Sequence, residues 1–237
     1  MKAIFYVFSR RIGIFIIFIF ILFLDSIYFT EHVINSQLPI NIMMGIGFLI
    51  MFYRTNTRTK ELMIYGVMLG FGGEYLFSRG LNMYTYRLEN VPLYVPLGHA
   101  ALYGRIFMFS KAPIVRKYHK AVEELFAVIM LSFATIYLLF FGDLFVFLLL
   151  WKRPKERLFF FSMYILVAIL EIGGTYFGAW KWPSIGFNAF HFLPSNNPPS
   201  GISLFYFLLD IGCFFIYTKR HKAPWERLKN IRKITNK

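Results

Sequence analysis

Cysteine and acidic side chains are scarce in this sequence. Among 237 residues there is one cysteine, Cys213, and 12 acidic residues stand against 26 lysines and arginines. A single cysteine excludes a disulfide framework and any metal motif built on paired cysteines. The sequence also lacks HExxH and any His-x-x-x-His spacing, so we predict neither a metal site nor a cofactor.

Long polar stretches are also missing. Aromatic residues make up 21% of the chain, and the mean hydropathy is +0.54. Several mostly apolar segments are each long enough to cross a bilayer of about 30 Å. Because hydrocarbon offers no hydrogen-bond partners, such segments should be helical. The sequence therefore predicts an all-α, polytopic helical membrane protein without a separate soluble domain.

About eight transmembrane helices are predicted, with seven as the alternative. The uncertainty concerns Glu123–Trp151, which is either one long span or two short ones divided at the turn-forming pair Gly142-Asp143. We favour the division, because it leaves both flanking basic loops on one side. No small-x-small cleavage site follows the first apolar run, which indicates an uncleaved span. The other predicted spans are Ile12–Leu24, Leu38–Tyr53, Glu61–Phe77, Val95–Phe109, Phe159–Ala179 and Gly201–Tyr217.

The net charge of +14 is carried by basic clusters between the apolar segments. This distribution is typical of cytoplasmic loops under the positive-inside rule. We therefore expect a multi-pass protein of the bacterial inner membrane, with both termini cytoplasmic. The basic clusters favour anionic lipid headgroups as partners and argue against nucleic acid.

Two segments, 61–110 and 158–218, carry the same order of features. In each, a glutamate precedes an aromatic-x-aromatic step, which is followed by Pro-x-Gly and a tyrosine at identical spacing. The first copy has Glu74, Tyr84, Tyr86, Pro96, Gly98 and Tyr103, and the second has Glu171, Trp180, Trp182, Pro199, Gly201 and Tyr206. Parallel repeats with a site between them are known in membrane proteins. Coincidence remains the alternative to a duplication.

Residues 1–218 form the predicted membrane domain, and the basic tail 219–237 follows it. Trp225, Leu228, Ile231 and Ile234 recur at three-residue spacing in this tail. The pattern predicts an interfacial amphipathic helix, with a disordered basic tail as the alternative.

Three carboxyls and one arginine fall inside predicted spans: Glu74, Glu171, Asp210 and Arg105. Intramembrane ionisable groups are functional by default, and hydrogen bonding or ion pairing between helices is the structural alternative. Arg105 is expected to pair with Asp210 or Glu74. At least one carboxyl should then stay protonated at neutral pH, which would give an acid/base pair. His99 is expected to relay protons or to form a hydrogen bond.

A pocket for an apolar ligand is predicted beside these carboxyls. Tyrosine and tryptophan also collect at membrane interfaces, so an aromatic belt is the alternative. The proline-rich loop before the last span offers amide groups at a helix start. The predicted lining is Tyr84, Tyr86, Tyr103, Trp180, Trp182, Tyr206, Asn196 and Asn197. Gly66 and Gly70 form a Gly-x-x-x-Gly pattern typical of close helix packing.

The order Glu, Gly, Tyr-x-Tyr, Val-Pro, Pro-Leu across Glu74–Leu97 resembles integral-membrane carotenoid-biosynthesis proteins of the bacterioruberin-hydratase type. The segment LEIGGTYFGAWKWP is similar to a pattern in uncharacterised bacterial polytopic membrane proteins. The first resemblance implies acid/base chemistry on an isoprenoid double bond within the bilayer. Asp210 and the proline-rich loop have no counterpart in it.

The leading hypothesis is therefore a membrane enzyme that uses Glu74 and Glu171 on a lipid-soluble substrate, either an isoprenoid or another lipid. A proton-coupled transporter or flippase would need the same carboxyls. A non-catalytic membrane scaffold is the third alternative.

Overall fold

Nine α-helices make up most of the described chain in the computed structural model, which describes residues 6, 13–33, 35–140, 157–186, 190–194, 197–198 and 202–223. This confirms the all-α prediction. The helices are α1 (Ile14–Leu24), α2 (Ile27–Thr30), α3 (Leu38–Tyr53), α4 (Thr57–Glu74), α5 (Tyr94–Ser110), α6 (Pro113–Lys117), α7 (His119–Phe140), α8 (Arg157–Tyr176) and α9 (Ile202–Arg220). A π-helical segment, Tyr75–Gly80, continues α4.

Four short strands form two antiparallel pairs among the described residues. Strands β1 (Thr85–Tyr86) and β2 (Trp180–Lys181) pair with each other, as do β3 (Ile185–Gly186) and β4 (Phe190–Pro194). Strand β1 follows α4 and β2 follows α8, so the first pair joins the two segments that the sequence predicts to be repeats.

Within the described residues, α8 is the one helix whose length and composition suffice to cross a membrane, and most of it is buried. Two shorter apolar helices cover Phe15–Leu24 and Leu38–Tyr53. The eight-span arrangement stays a prediction. The proposed division at Gly142-Asp143, Gly201 and the tail from residue 224 lie outside the described residues.

Close packing of α4 against α5 depends on glycine. A Cβ atom at Gly66 would lie 3.2 Å from Ala100 Cβ, and one at Gly70 would lie 3.3 Å from Pro96 Cβ. Small residues at this spacing let two helix backbones approach closely. The packing role predicted for the Gly-x-x-x-Gly pattern is confirmed.

The helices of the two segments run in matching directions. Glu61 near the start of α4 contacts His221 just after α9, with 2.8 Å between Oε2 and Nε2. Near the start of α8, the Phe159 ring packs against Tyr103 in α5 and Phe214 in α9. Helices α4 and α8 therefore run from one end of the bundle to the other, and α5 and α9 return.

A buried ion pair anchors α1 to the loop that carries β1. Asp25, at the end of α1, is fully buried and lies 2.6 Å from Arg87 Nη2. Its other carboxylate oxygen accepts hydrogen bonds from Gln37 Nε2 at 2.8 Å and from the Tyr94 hydroxyl at 2.7 Å. Such complete pairing offsets the cost of burying the charge. Asp25 was not among the residues predicted to have a role, although an acidic residue directly after an apolar run was a usable signal.

Candidate functional site

The aromatic steps of the two segments face each other across the β1–β2 pair. Thr85 pairs with Lys181, and Tyr86 pairs with Trp180. The Tyr84 and Trp182 rings lie 4.6 Å apart between centroids. The first aromatic residue of each step therefore faces the second of the other, and the two middle residues pair together. This reciprocal pairing is what a two-fold relation between two similar units requires.

Glu74 is held by two tyrosines of its own loop. It is the last residue of α4, and its side chain is buried. The hydroxyls of Tyr84 and Tyr86 both donate to its Oε2 atom. Burial raises the pKa of Tyr84 above the ordinary tyrosine value. The phenol therefore stays protonated as a donor.

Glu171 is held differently, with one donor on each oxygen. Trp180 Nε1 donates to Oε2 at 3.0 Å, and the Tyr206 hydroxyl donates to Oε1 at 2.6 Å. The Trp180 ring packs onto bare helix backbone, because a Cβ atom at Gly174 would lie 2.1 Å from it.

A small cavity lies between the two carboxyls. Glu74 and Glu171 both line it, and its volume is about 20 Å³. A space of this size holds about one water molecule. Its aromatic lining residues are Phe77, Tyr84, Tyr86, Trp180, Trp182 and Tyr206. Glu74, Glu171 and both aromatic steps thus come together in one buried site, which we call the carboxyl cavity.

A second, apolar cavity adjoins the carboxyl cavity. Its volume is about 60 Å³, and residues of α1, α5 and α8 supply most of its wall. Val95, Trp180 and Tyr206 line both cavities. Drug-sized ligands occupy several hundred Å³, so this apolar cavity accepts only a short part of a longer chain.

His99 and Asp210 form a separate buried pair. His99 Nε2 lies 3.3 Å from Asp210 Oδ1, and the two side chains are 6% and 0% exposed. The expected partner of Asp210 was Arg105, which lies six residues beyond His99 on α5. Within the described residues, His99 lies beside Asp210, and the hydroxyls of Tyr84 and Tyr86 donate to Glu74. The expected arginine pairing is therefore corrected to a histidine pair. An imidazole on α5 reaches Asp210 on α9 because both helices pack around the same core.

Two predicted lining residues lie apart from both cavities. Tyr103 is fully buried in the core, with ring centroids 5.0 Å from Phe159 and 5.7 Å from Phe214. Asn197 Oδ1 accepts a hydrogen bond from the Trp182 backbone at 3.0 Å, so this amide fixes the loop after β2. Asn196 lies outside the described residues.

Comparison with known proteins identifies no relative. No protein-family model matches the chain, and no curated protein or solved structure matches it either. The resemblance to carotenoid-biosynthesis proteins stays an expectation from the sequence.

Proposed function

We propose that this protein is an integral-membrane enzyme that performs acid/base chemistry on a carbon–carbon double bond of a lipid-soluble substrate. The observation that carries the proposal is the meeting of Glu74 and Glu171 at one water-sized cavity with aromatic walls. A carboxylic acid in a dry site can protonate an alkene. The faces of aromatic rings stabilise the cation that forms.

The hydrogen-bond pattern supports a different role for each carboxyl. Both donors to Glu74 converge on Oε2, which leaves Oε1 to carry a proton. Both oxygens of Glu171 accept a donor, an arrangement that favours the ionised form. Glu74 is thus the acid and Glu171 the base.

Addition of water to the double bond follows from these roles. Glu74 gives its proton to one alkene carbon, and the resulting cation is at the neighbouring carbon. A water molecule in the carboxyl cavity bonds to that carbon, and Glu171 accepts the proton that the water releases. Transfer of this proton back to Glu74 restores the starting state, so the net reaction adds one water.

Exposed apolar faces support a membrane location. Along α3, Leu38, Ile42 and Ile46 are 64%, 54% and 55% exposed. Apolar surfaces of this extent are rare in water-soluble monomers. Arg58, Lys111 and Arg220 all lie at the end of the bundle opposite the carboxyl cavity. We therefore propose eight spans in the bacterial inner membrane, with both termini cytoplasmic. The basic end of the bundle then contacts anionic lipid headgroups.

Lipid extracts test the enzymatic proposal. Cells that produce the protein should contain a lipid heavier by one water than its precursor in cells that lack it. Glu74→Gln should abolish this product, because the amide cannot act as the acid. Glu31→Gln is the matched control, since Glu31 is an exposed glutamate at the same end of the bundle. Identical extracts, or a product that persists with Glu74→Gln, would contradict the proposal.

A proton-coupled transporter or flippase is the second candidate. Titratable groups continue along the bundle from the carboxyl cavity through the His99–Asp210 pair to Glu61 and His221 at the basic end. Such a series suits proton movement. Vesicles containing the purified protein would then dissipate a pH gradient, while lipid extracts stay unchanged. If neither assay responds to Glu74→Gln or Glu171→Gln, the scaffold alternative is favoured.

A further inference from the structure

The apolar cavity is lined by one polar side chain that has a ring nitrogen without a hydrogen-bond partner among the described residues. Four of its lining residues carry polar side-chain atoms: Tyr94, His99, Trp180 and Tyr206. The Tyr94 hydroxyl donates to Asp25, while Trp180 Nε1 and the Tyr206 hydroxyl donate to Glu171. His99 Nε2 faces Asp210 Oδ1 at 3.3 Å, and among the described residues His99 Nδ1 has no hydrogen-bond partner.

This state of His99 is unfavourable without a ligand. Its side chain is 6% exposed, so bulk water does not satisfy Nδ1. Leaving a buried donor or acceptor unpaired destabilises a protein more than the average hydrogen bond stabilises it. Asp210 lies 3.3 Å from Nε2 and favours a proton on that nitrogen, which leaves Nδ1 as an acceptor.

We propose that the apolar cavity is a binding subsite for the hydroxyl group of an otherwise apolar ligand, with His99 as its hydrogen-bond partner. The walls from α1 and α8 are aliphatic or aromatic, with Phe18, Ile21, Leu22, Val167 and Leu170. These walls suit hydrocarbon adjacent to the hydroxyl. The volume of about 60 Å³ accommodates the hydroxyl and a few carbons, while the rest of the ligand lies outside the cavity.

A charged headgroup fits this cavity poorly. Neither lysine nor arginine lines it, and an unpaired ion in apolar surroundings has a large desolvation penalty. A pure hydrocarbon would leave His99 unsatisfied. A neutral alcohol meets both conditions. The subsite is a geometric inference, and it rests on the proposed function only for the idea that its ligand is a substrate or product.

Binding of a matched pair of probes tests the subsite. The probes are geraniol and 2,6-dimethylocta-2,6-diene, which has the same carbon skeleton without the hydroxyl. The full chain in lipid nanodiscs carries ¹⁵N-labelled histidine, and the signals missing from His99→Phe identify the His99 ring. Geraniol should shift the Nδ1 resonance, and the hydrocarbon should not.

Affinity gives the second measurement. His99→Phe should weaken geraniol binding about tenfold, the effect of one buried hydrogen bond, and should leave hydrocarbon binding unchanged. His191→Phe is the control, because His191 is exposed on β4. His99→Leu provides a smaller replacement, and thermal unfolding verifies that each variant folds.

Two results would overturn the subsite: geraniol and the hydrocarbon bind equally well to the wild-type protein, or His99→Phe and His99→Leu both retain the preference for geraniol. Failure of the enzymatic proposal looks different. Lipid extracts would then be unaffected by Glu74→Gln, while geraniol binding would still depend on His99, and this outcome supports the subsite.

Discussion

Glu74 takes both hydrogen-bond donors from its own loop, whereas Glu171 takes one from its loop and one from the helix that follows. The returning helices differ in the same way. Tyr206 on α9 contacts Glu171, but Tyr103, its counterpart by spacing on α5, packs in the core against Phe159 and Phe214. Identical spacing thus places two tyrosines in different environments.

The difference follows from how each pair of helices packs. Gly66 and Gly70 bring α4 close to α5, and Tyr103 is enclosed between aromatic rings of α8 and α9. In the second half, bulky side chains separate α8 from α9, as in the contact between the Tyr164 and Phe207 rings. The carboxyl cavity is therefore built by two similar segments with unequal roles.

The largest expected effect is that of Gly174→Ala. The new methyl group would overlap the Trp180 ring and displace the indole from Glu171. We expect a loss of about 2–4 kcal/mol in the free energy of unfolding, from overpacking and a lost buried hydrogen bond. Thermal unfolding in detergent measures this.

Gly173→Ala is the control for this change, because its methyl group would meet Ile19 and Leu22 at an ordinary 3.7 Å. Alanine is also the better helix former, so this variant should be at least as stable as the wild type. Equal stability of the two alanine variants would contradict the packing of Trp180 on α8.

Tyr206→Phe should have the next largest effect. It leaves Glu171 Oε1 without its donor, and we expect a cost of about 1–3 kcal/mol. Tyr84→Phe should cost less, about 0.5–1 kcal/mol, since Tyr86 still donates to the same oxygen of Glu74. Chemical denaturation measures both, with exposed Tyr176→Phe as the control. The reverse order of costs would refute the asymmetry between the halves.

Alkaline pH should weaken the half around Glu74. Burial raises the pKa of Tyr84 in the folded protein, so its stabilising contribution is full below the unfolded value of about 10 and falls as pH rises above it. The expected slope is about 1.4 kcal/mol per pH unit for one tyrosine. Unfolding measured above about pH 10 should depend less on pH in Tyr84→Phe than in the wild-type protein. Trp180→Phe should retain the wild-type slope, because an indole does not ionise in this range, and a reduced slope in that variant would count against this account.

Coupling between the two halves is the last expected effect. A double-mutant cycle with Tyr84→Leu and Trp182→Leu should give about 1 kcal/mol, as is typical of aromatic pairs at the observed 4.6 Å. The pair Tyr84 and Tyr86, at 5.5 Å within one half, is the reference cycle. Coupling confined to the reference pair would mean that the two loops are energetically independent.

The carboxyls and aromatic steps of the site were predictable from the sequence. A glutamate late in an apolar segment and a nearby aromatic-x-aromatic step identify the two halves, and the structure brings both together. Helix termini were approximate: α8 ends at Tyr176, where Gly178 with φ of +71° terminates it, although the predicted span continued to Ala179.

Contacts between distant segments were not predictable. Asp25 and Arg87 are 62 residues apart, and periodicity within one helix carries no information on such a pair. Among the described residues, Asp210 pairs with His99 rather than with Arg105. The packing of α5 on Gly66 and Gly70 sets which face of α5 points to α9, and the position of a residue along the helix does not reveal that face. The pairing of β1 with β2 likewise depends on which helices are neighbours.

The π-helical segment Tyr75–Gly80 shows how the two halves tolerate unequal lengths. Glu74 precedes its aromatic step by one residue more than Glu171 does. The Leu81 amide bonds back to the Leu76 carbonyl at 2.8 Å, five residues earlier, so the wide turns take up an additional residue. An insertion is thereby absorbed in the helix, and β1 still meets β2 in the reciprocal register. Deleting Ser78 or Arg79 would restore ordinary α-helical turns and make the two halves equal in length. Neither residue lines the carboxyl cavity.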